Sequence, residues 1–80
     1  MNKDMVLNII KAENVENANV IAYFYNKVCV GKYENNEMKF DQDVEFSLCN
    51  QIRFFNNDLE IRLIVKDGKI LTKRIDDTQG

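Results

Sequence analysis

Cys29 and Cys49 are the only two cysteines of the chain, and nineteen residues separate them. Two thiols so placed are no tetrahedral metal set. There is no histidine to join them, which also removes the commonest general base and the serine–histidine and cysteine–histidine pairs. Acids gather at Asp41, Asp43 and Glu45 and again at Asp76 and Asp77. A calcium loop needs closer spacing and a turn glycine, so these read as solvated turn carboxylates. Gly31, Gly68 and Gly80 stand alone, whereas phosphate-cradling loops need clustered glycines. The chain therefore reads as a non-enzyme that takes no cofactor and no metal.

The cysteines read instead as reduced, buried packing residues. The opening "MNKDMVLNII" is too short and too polar for a signal peptide or a membrane-spanning helix. A cytoplasmic protein without membrane contact is the expectation.

Charge is the next source of chemistry. The net charge is −2, too mild for an overall nucleic-acid signature, but it is unevenly distributed. Residues 1–50 carry five basic side chains against eight acids, and residues 51–80 carry six (Arg53, Arg62, Lys66, Lys69, Lys73, Arg74) against five. The C-terminal part is the cationic end.

Short strands must position these groups. Proline is absent, so Asn, Asp and Gly supply the breaks. Between the breaks lie segments rich in β-branched and aromatic residues. Asp67-Gly68 suits a two-residue type I′ turn, setting Lys66 opposite Lys69, Val65 opposite Ile70, Ile64 opposite Leu71 and Arg62 opposite Lys73. A turn at Asn56-Asn57 sets Phe54 against Leu59, Ile52 against Ile61 and Arg53 against Glu60. Both registers put Ile52, Phe54, Leu59, Ile61, Leu63, Val65 and Ile70 on one apolar face. Val44, Phe46, Leu48 and Asn50 continue that parity, which favours one long strand from Val44, bent near Cys49-Asn50, over a helical turn feeding Ile52.

Earlier, "NVIAYFYNKVCVGKYENNEMKF" reads as a three-stranded meander. A turn at Asn26-Lys27 sets Phe24 against Cys29 and Ala22 against Gly31. One at Asn35-Asn36 sets Tyr33 against Met38 and Gly31 against Phe40, whose ring covers the gap a strand glycine leaves. "MVLNII" suits either a strand or a short amphipathic helix. The fold class that follows is all-β and mainly antiparallel, one domain over residues 1–80. A small meander barrel or sandwich of six to seven strands, with room for one short helical turn, would bury these apolar faces.

The same registers send Arg53, Arg62, Lys66, Lys69 and Lys73 outward together, interrupted only by Glu60. Lys66 against Lys69 and Arg62 against Lys73 are like-charge cross-strand pairs, each costing a few tenths of a kcal/mol. Phe55, Tyr23 and Tyr25 point away from Phe54 and Phe24 and join the candidate partner-binding set. An acidic protein patch or a nucleic-acid backbone would suit such a surface; an ordinary charged outer face that blocks edge pairing is the plain alternative.

"AYFYNKVCVGKYENNEMKF" and "IRFFNNDLEIRLIVKDGKILTKRIDD" together resemble the small accessory proteins encoded with type III-D CRISPR effector complexes. The resemblance covers roughly residues 20–77. It rests on Ala22, Tyr23, Tyr25, Gly31 and Phe40, then on Arg53, Phe54, Asn56, Glu60, Arg62, Gly68, Arg74 and Asp76. Tryptophan, usual in that family beside the later arginine, is absent, and Ile64 stands near its place. The resemblance implies a non-catalytic, protein-binding subunit or docking factor of a prokaryotic antiviral-defence complex. A phage- or plasmid-encoded inhibitor binding the same effector, and a small nucleic-acid-binding β-barrel, are the alternatives.

Overall fold

The computed structural model describes residues 1–77; the last three of the expected domain lie outside the described residues. Helix α1 (Lys3–Ala12) precedes strands β1 (Ala18–Tyr23), β2 (Val28–Glu34) and β3 (Glu37–Phe40). A 3-10 turn (Phe46–Leu48) then leads into β4 (Gln51–Phe55), β5 (Leu59–Lys66) and β6 (Lys69–Asp76). The six strands form one antiparallel sheet in the order β3-β2-β1-β4-β5-β6.

The antiparallel β class and six strands are as expected. The second layer, however, is not a second sheet. It is α1, whose Val6 and Ile10 are fully buried in one cluster with Val20, Ala22, Ile52, Phe54, Ile61 and Leu63. The spacing of Val6, Ile9 and Ile10 makes the helix amphipathic. Asn2 caps it, its side-chain oxygen accepting from the Met5 N–H at 3.1 Å. Asp4 in the first turn and Lys11 in the last suit the helix dipole. Asn14, at φ 60°, ends it in the left-handed region. "MVLNII" is thus helical.

The long strand expected from Val44 is corrected. Phe46–Leu48 is a 3-10 turn, with Leu48 N–H donating to the Glu45 carbonyl and Cys49 N–H to that of Phe46. Alternating polarity was a poor guide there. Phe46 packs its ring against Phe40 at 6.1 Å between centroids, and Leu48 is exposed.

Two turns fall as expected. Asn35-Asn36 (φ 54° and 62°) and Asp67-Gly68 (φ 52° and 74°) are left-handed pairs, giving Tyr33 opposite Met38, Gly31 opposite Phe40 and the anticipated β5–β6 register. Two others shift by one residue. The β1–β2 turn closes from Phe24 to Lys27, so Ala22 faces Cys29 and Val20 faces Gly31. The β4–β5 turn closes from Asn56 to Leu59, so Phe54 faces Ile61 and Arg53 faces Arg62 rather than Glu60. The Asn56 side-chain oxygen accepts from the Asp58 and Leu59 N–H groups, an Asx turn that makes Asn56 the first turn residue and not the second. Moving a turn by one residue moves the pairing by two. Every side chain keeps its face, and the core survives the error.

Arg74 fastens β6 to the helix layer. Its guanidinium donates to the Glu13 carbonyl (2.6 Å), to the Glu13 carboxylate (3.0 Å) and, through two nitrogens, to Asp76. Cys29 and Cys49 are buried free thiols, and Cys49 Sγ donates to the Gln51 carbonyl at 3.2 Å.

The two described strand and turn glycines are required for different reasons. A Cβ at Gly31 would run into the Lys39 carbonyl oxygen and come within 2.8 Å of Phe40 Cα; at Gly68 it would meet nothing, and the demand is the φ of 74°. Gly68→Val is expected to cost about 1–2 kcal/mol through backbone strain, and Gly31→Ala about 1–3 kcal/mol through overpacking. In denaturant titrations asparagine, which tolerates the left-handed region, should rescue position 68 and fail at position 31.

Candidate functional site

With α1 and the 3-10 segment on the inner face, the outer face of the sheet has no layer from the described residues. The registers order its side chains into rows running across the strands. One row is Val28, Tyr23, Gln51, Ile64 and Leu71; the next is Val30, Ile21, Arg53, Arg62 and Lys73. Beyond them, Lys39, Lys32, Asn19, Phe55, Glu60 and Ile75 form a third, while Lys66 and Lys69 form a short fourth at the Asp67-Gly68 turn.

All five expected basic residues therefore stand on one face, joined by Lys32 and Lys39, which were not singled out beforehand. Arg53, Arg62 and Lys73 are direct lateral neighbours on β4, β5 and β6, at the roughly 4.8 Å strand spacing. One acid lies among them. Glu60 Oε2 accepts from Arg53 Nε (2.5 Å) and Arg62 Nε (2.8 Å). Hydrogen bonds from Arg62 and then Arg53 hold its carboxyl below the usual glutamate range, and Glu60 in turn pushes the Arg53 guanidinium up. Among the described residues, no ion pair engages Lys66, Lys69 or Lys73.

Apolar side chains lie between the charges. Val28, Val30, Leu71 and Ile75 are between 43% and 62% exposed. Asn19, Ile21, Val30, Gly31, Lys32 and Phe55 line a mostly apolar depression of about 370 Å³.

The expected aromatics divide. Phe55 and Tyr23 are on the outer face, half-buried by their neighbours, and the Arg53 guanidinium sits 4.4 Å from the Phe55 ring centroid. Tyr25 is in the β1–β2 turn and 97% exposed, away from the rows. Val28, Val30, Ile64 and Leu71 are the part of the surface that sequence reasoning missed. Their alternation with inward residues was the available signal, and it was used for the charged and aromatic side chains of that face but not for these aliphatics.

The described residues contain no group of three or more potential metal ligands, and no helix among them is long and apolar enough to cross a membrane. Burial pushes the Cys49 thiol up, the opposite of an activated nucleophile. No protein-family model, curated protein or solved structure matches the chain.

The Glu60 bridge predicts a pH dependence. Its folded pKa is depressed, so its stabilisation is present above the ordinary glutamate range and is lost as pH falls through the folded value. Glu60→Gln should flatten the acid limb of a stability profile below about pH 4 and leave the alkaline limb unchanged.

Proposed function

We propose that the protein is a non-catalytic docking module that seats its open sheet face on an acidic protein surface. The observation that carries this reading is the lateral row Arg53–Arg62–Lys73 with Lys66 and Lys69 beside it, cations aligned on an exposed face of a chain whose net charge is −2. Stability alone favours mixed signs across strands, and an acidic partner would turn the repulsion into complementarity. Exposed aliphatics between the charges supply the apolar contact that a protein interface needs.

The resemblance to accessory proteins of type III-D CRISPR effector complexes makes such a complex the first partner to test. In that setting the protein is an accessory subunit or docking factor in the cytoplasm. A phage- or plasmid-borne inhibitor would use the same face on the same effector. Single-stranded nucleic acid is a weaker fit. Phe55 has Arg53 over its ring, and Tyr23 stands on the neighbouring strand, four residues along β1 from the Asn19 that pairs with Phe55. A run of free aromatic faces, which base stacking requires, is not formed.

Binding of purified effector complex should be titrated for the wild type and for the Arg62→Glu/Lys73→Glu double variant at two salt concentrations. Docking through this face predicts a loss of about 2–5 kcal/mol in the variant, with folding retained because outward strand charges are near neutral for stability. A steep linear fall of log affinity with log salt toward a single-stranded RNA probe would favour a nucleic-acid partner. Equal binding of wild type and double variant would show the face to be plain solvated surface.

A further inference from the structure

We infer that the occupant of the open face is an amphipathic helix of the partner, laid across the strands with its apolar stripe flanked by carboxylates. This rests on the docking reading and specifies the shape and chemistry of what docks. The row Val28–Tyr23–Gln51–Ile64–Leu71 is an apolar band, broken only by Gln51, that crosses β2, β1, β4, β5 and β6 at right angles to the strands. At its β5–β6 end cations stand on both sides of it. Arg62 and Lys73 lie two residues along the strands in one direction, and Lys66 and Lys69 two residues in the other, each about 7 Å away.

An occupant of the band must satisfy its own backbone. A segment on the face of a sheet, unlike one added to its edge, gains no ladder hydrogen bonds, so an extended peptide would bury unpaired N–H and C=O groups. A helix has none to lose along its length. Its diameter of about 10 Å fits within the gap of about 14 Å between the two flanking cation pairs and lets acids on either side of an apolar stripe reach them. Five strands at about 4.8 Å spacing give a band of about 19 Å, the length of about 13 helical residues. The inner face already carries a ten-residue amphipathic helix packed on this sheet. A second helix outside would make the sheet the middle of three layers.

Two synthetic 13-residue peptides of identical composition test this. One places leucines at helical i, i+3, i+4 and i+7 spacing with glutamates on both flanks; the other scrambles the order and destroys the stripe. Each is titrated into isotopically labelled protein and followed by amide shifts. The helix-patterned peptide should shift Tyr23, Ile64 and Leu71 and bind at least about ten-fold tighter than the scramble, and Ile64→Lys should weaken it by about ten-fold, the size of one lost buried aliphatic contact. Equal binding of the two peptides, both lost in Arg62→Glu/Lys73→Glu, would overturn the helix and leave acidic docking standing. Shifts confined to α1, or none, would overturn both.

Discussion

The packing of Val6 and Ile10 against the inner face of the sheet is the contact on which the rest depends. Both are fully buried, and both come from the only α-helix among the described residues. A six-stranded sheet presents two faces, and the described residues supply cover for one. The inner face is closed by ten helical residues, the Phe46–Leu48 turn, and the Arg74–Glu13 bond that fastens the last strand to the helix end. Everything exposed outside follows from that allocation. The outer aliphatics are therefore displayed by the fold and not left over from a faulty core.

The charge on that face has a physical cost that the fold does not require. Arg53, Arg62 and Lys73 side by side repel one another, and Glu60, bonded to both arginines, offsets only part of it. Arg74, on the other side of the sheet, is instead paired with Asp76 and with Glu13 at the helix end. The contrast separates two kinds of basic residue within one C-terminal segment. Arg74 is a fastener whose hydrogen bonds are already taken up, while Lys66, Lys69 and Lys73 have no ion pair among the described residues. Charge alone did not distinguish them; the side of the sheet does.

Much of this was legible in the sequence because the signals were local. Asn35-Asn36 and Asp67-Gly68 announce left-handed turns, and period-two alternation assigns faces even where the turn at Asn56 or Tyr25 is misplaced by one residue. Gly31 opposite Phe40 followed from the same logic, with a stronger reason underneath, since the β3 backbone leaves no room for a Cβ. What failed needed tertiary information. "EFSL" alternates like a strand but turns as a 3-10 helix to bring Phe46 against Phe40. The number of layers depends on whether "MVLNII" becomes a strand or a helix, and as a helix it leaves Val28, Val30 and Leu71 outside. The acid that interrupts the basic face was identified correctly, although its direct cross-strand neighbours are Phe55 and Ile75 and it reaches Arg53 diagonally.

Lysine acetylation footprinting tests the central claim most directly, since the chain carries lysines on both sides of the sheet. Brief acetylation of the protein, free and mixed with purified effector complex, is read by mass spectrometry residue by residue. Docking through the open face predicts strong protection of Lys66, Lys69 and Lys73 in the complex, with Lys3 and Lys11 on α1 reacting as in the free protein. Protection of Lys3 and Lys11 with unchanged reactivity at Lys66, Lys69 and Lys73 would contradict it and place the partner on the helical side.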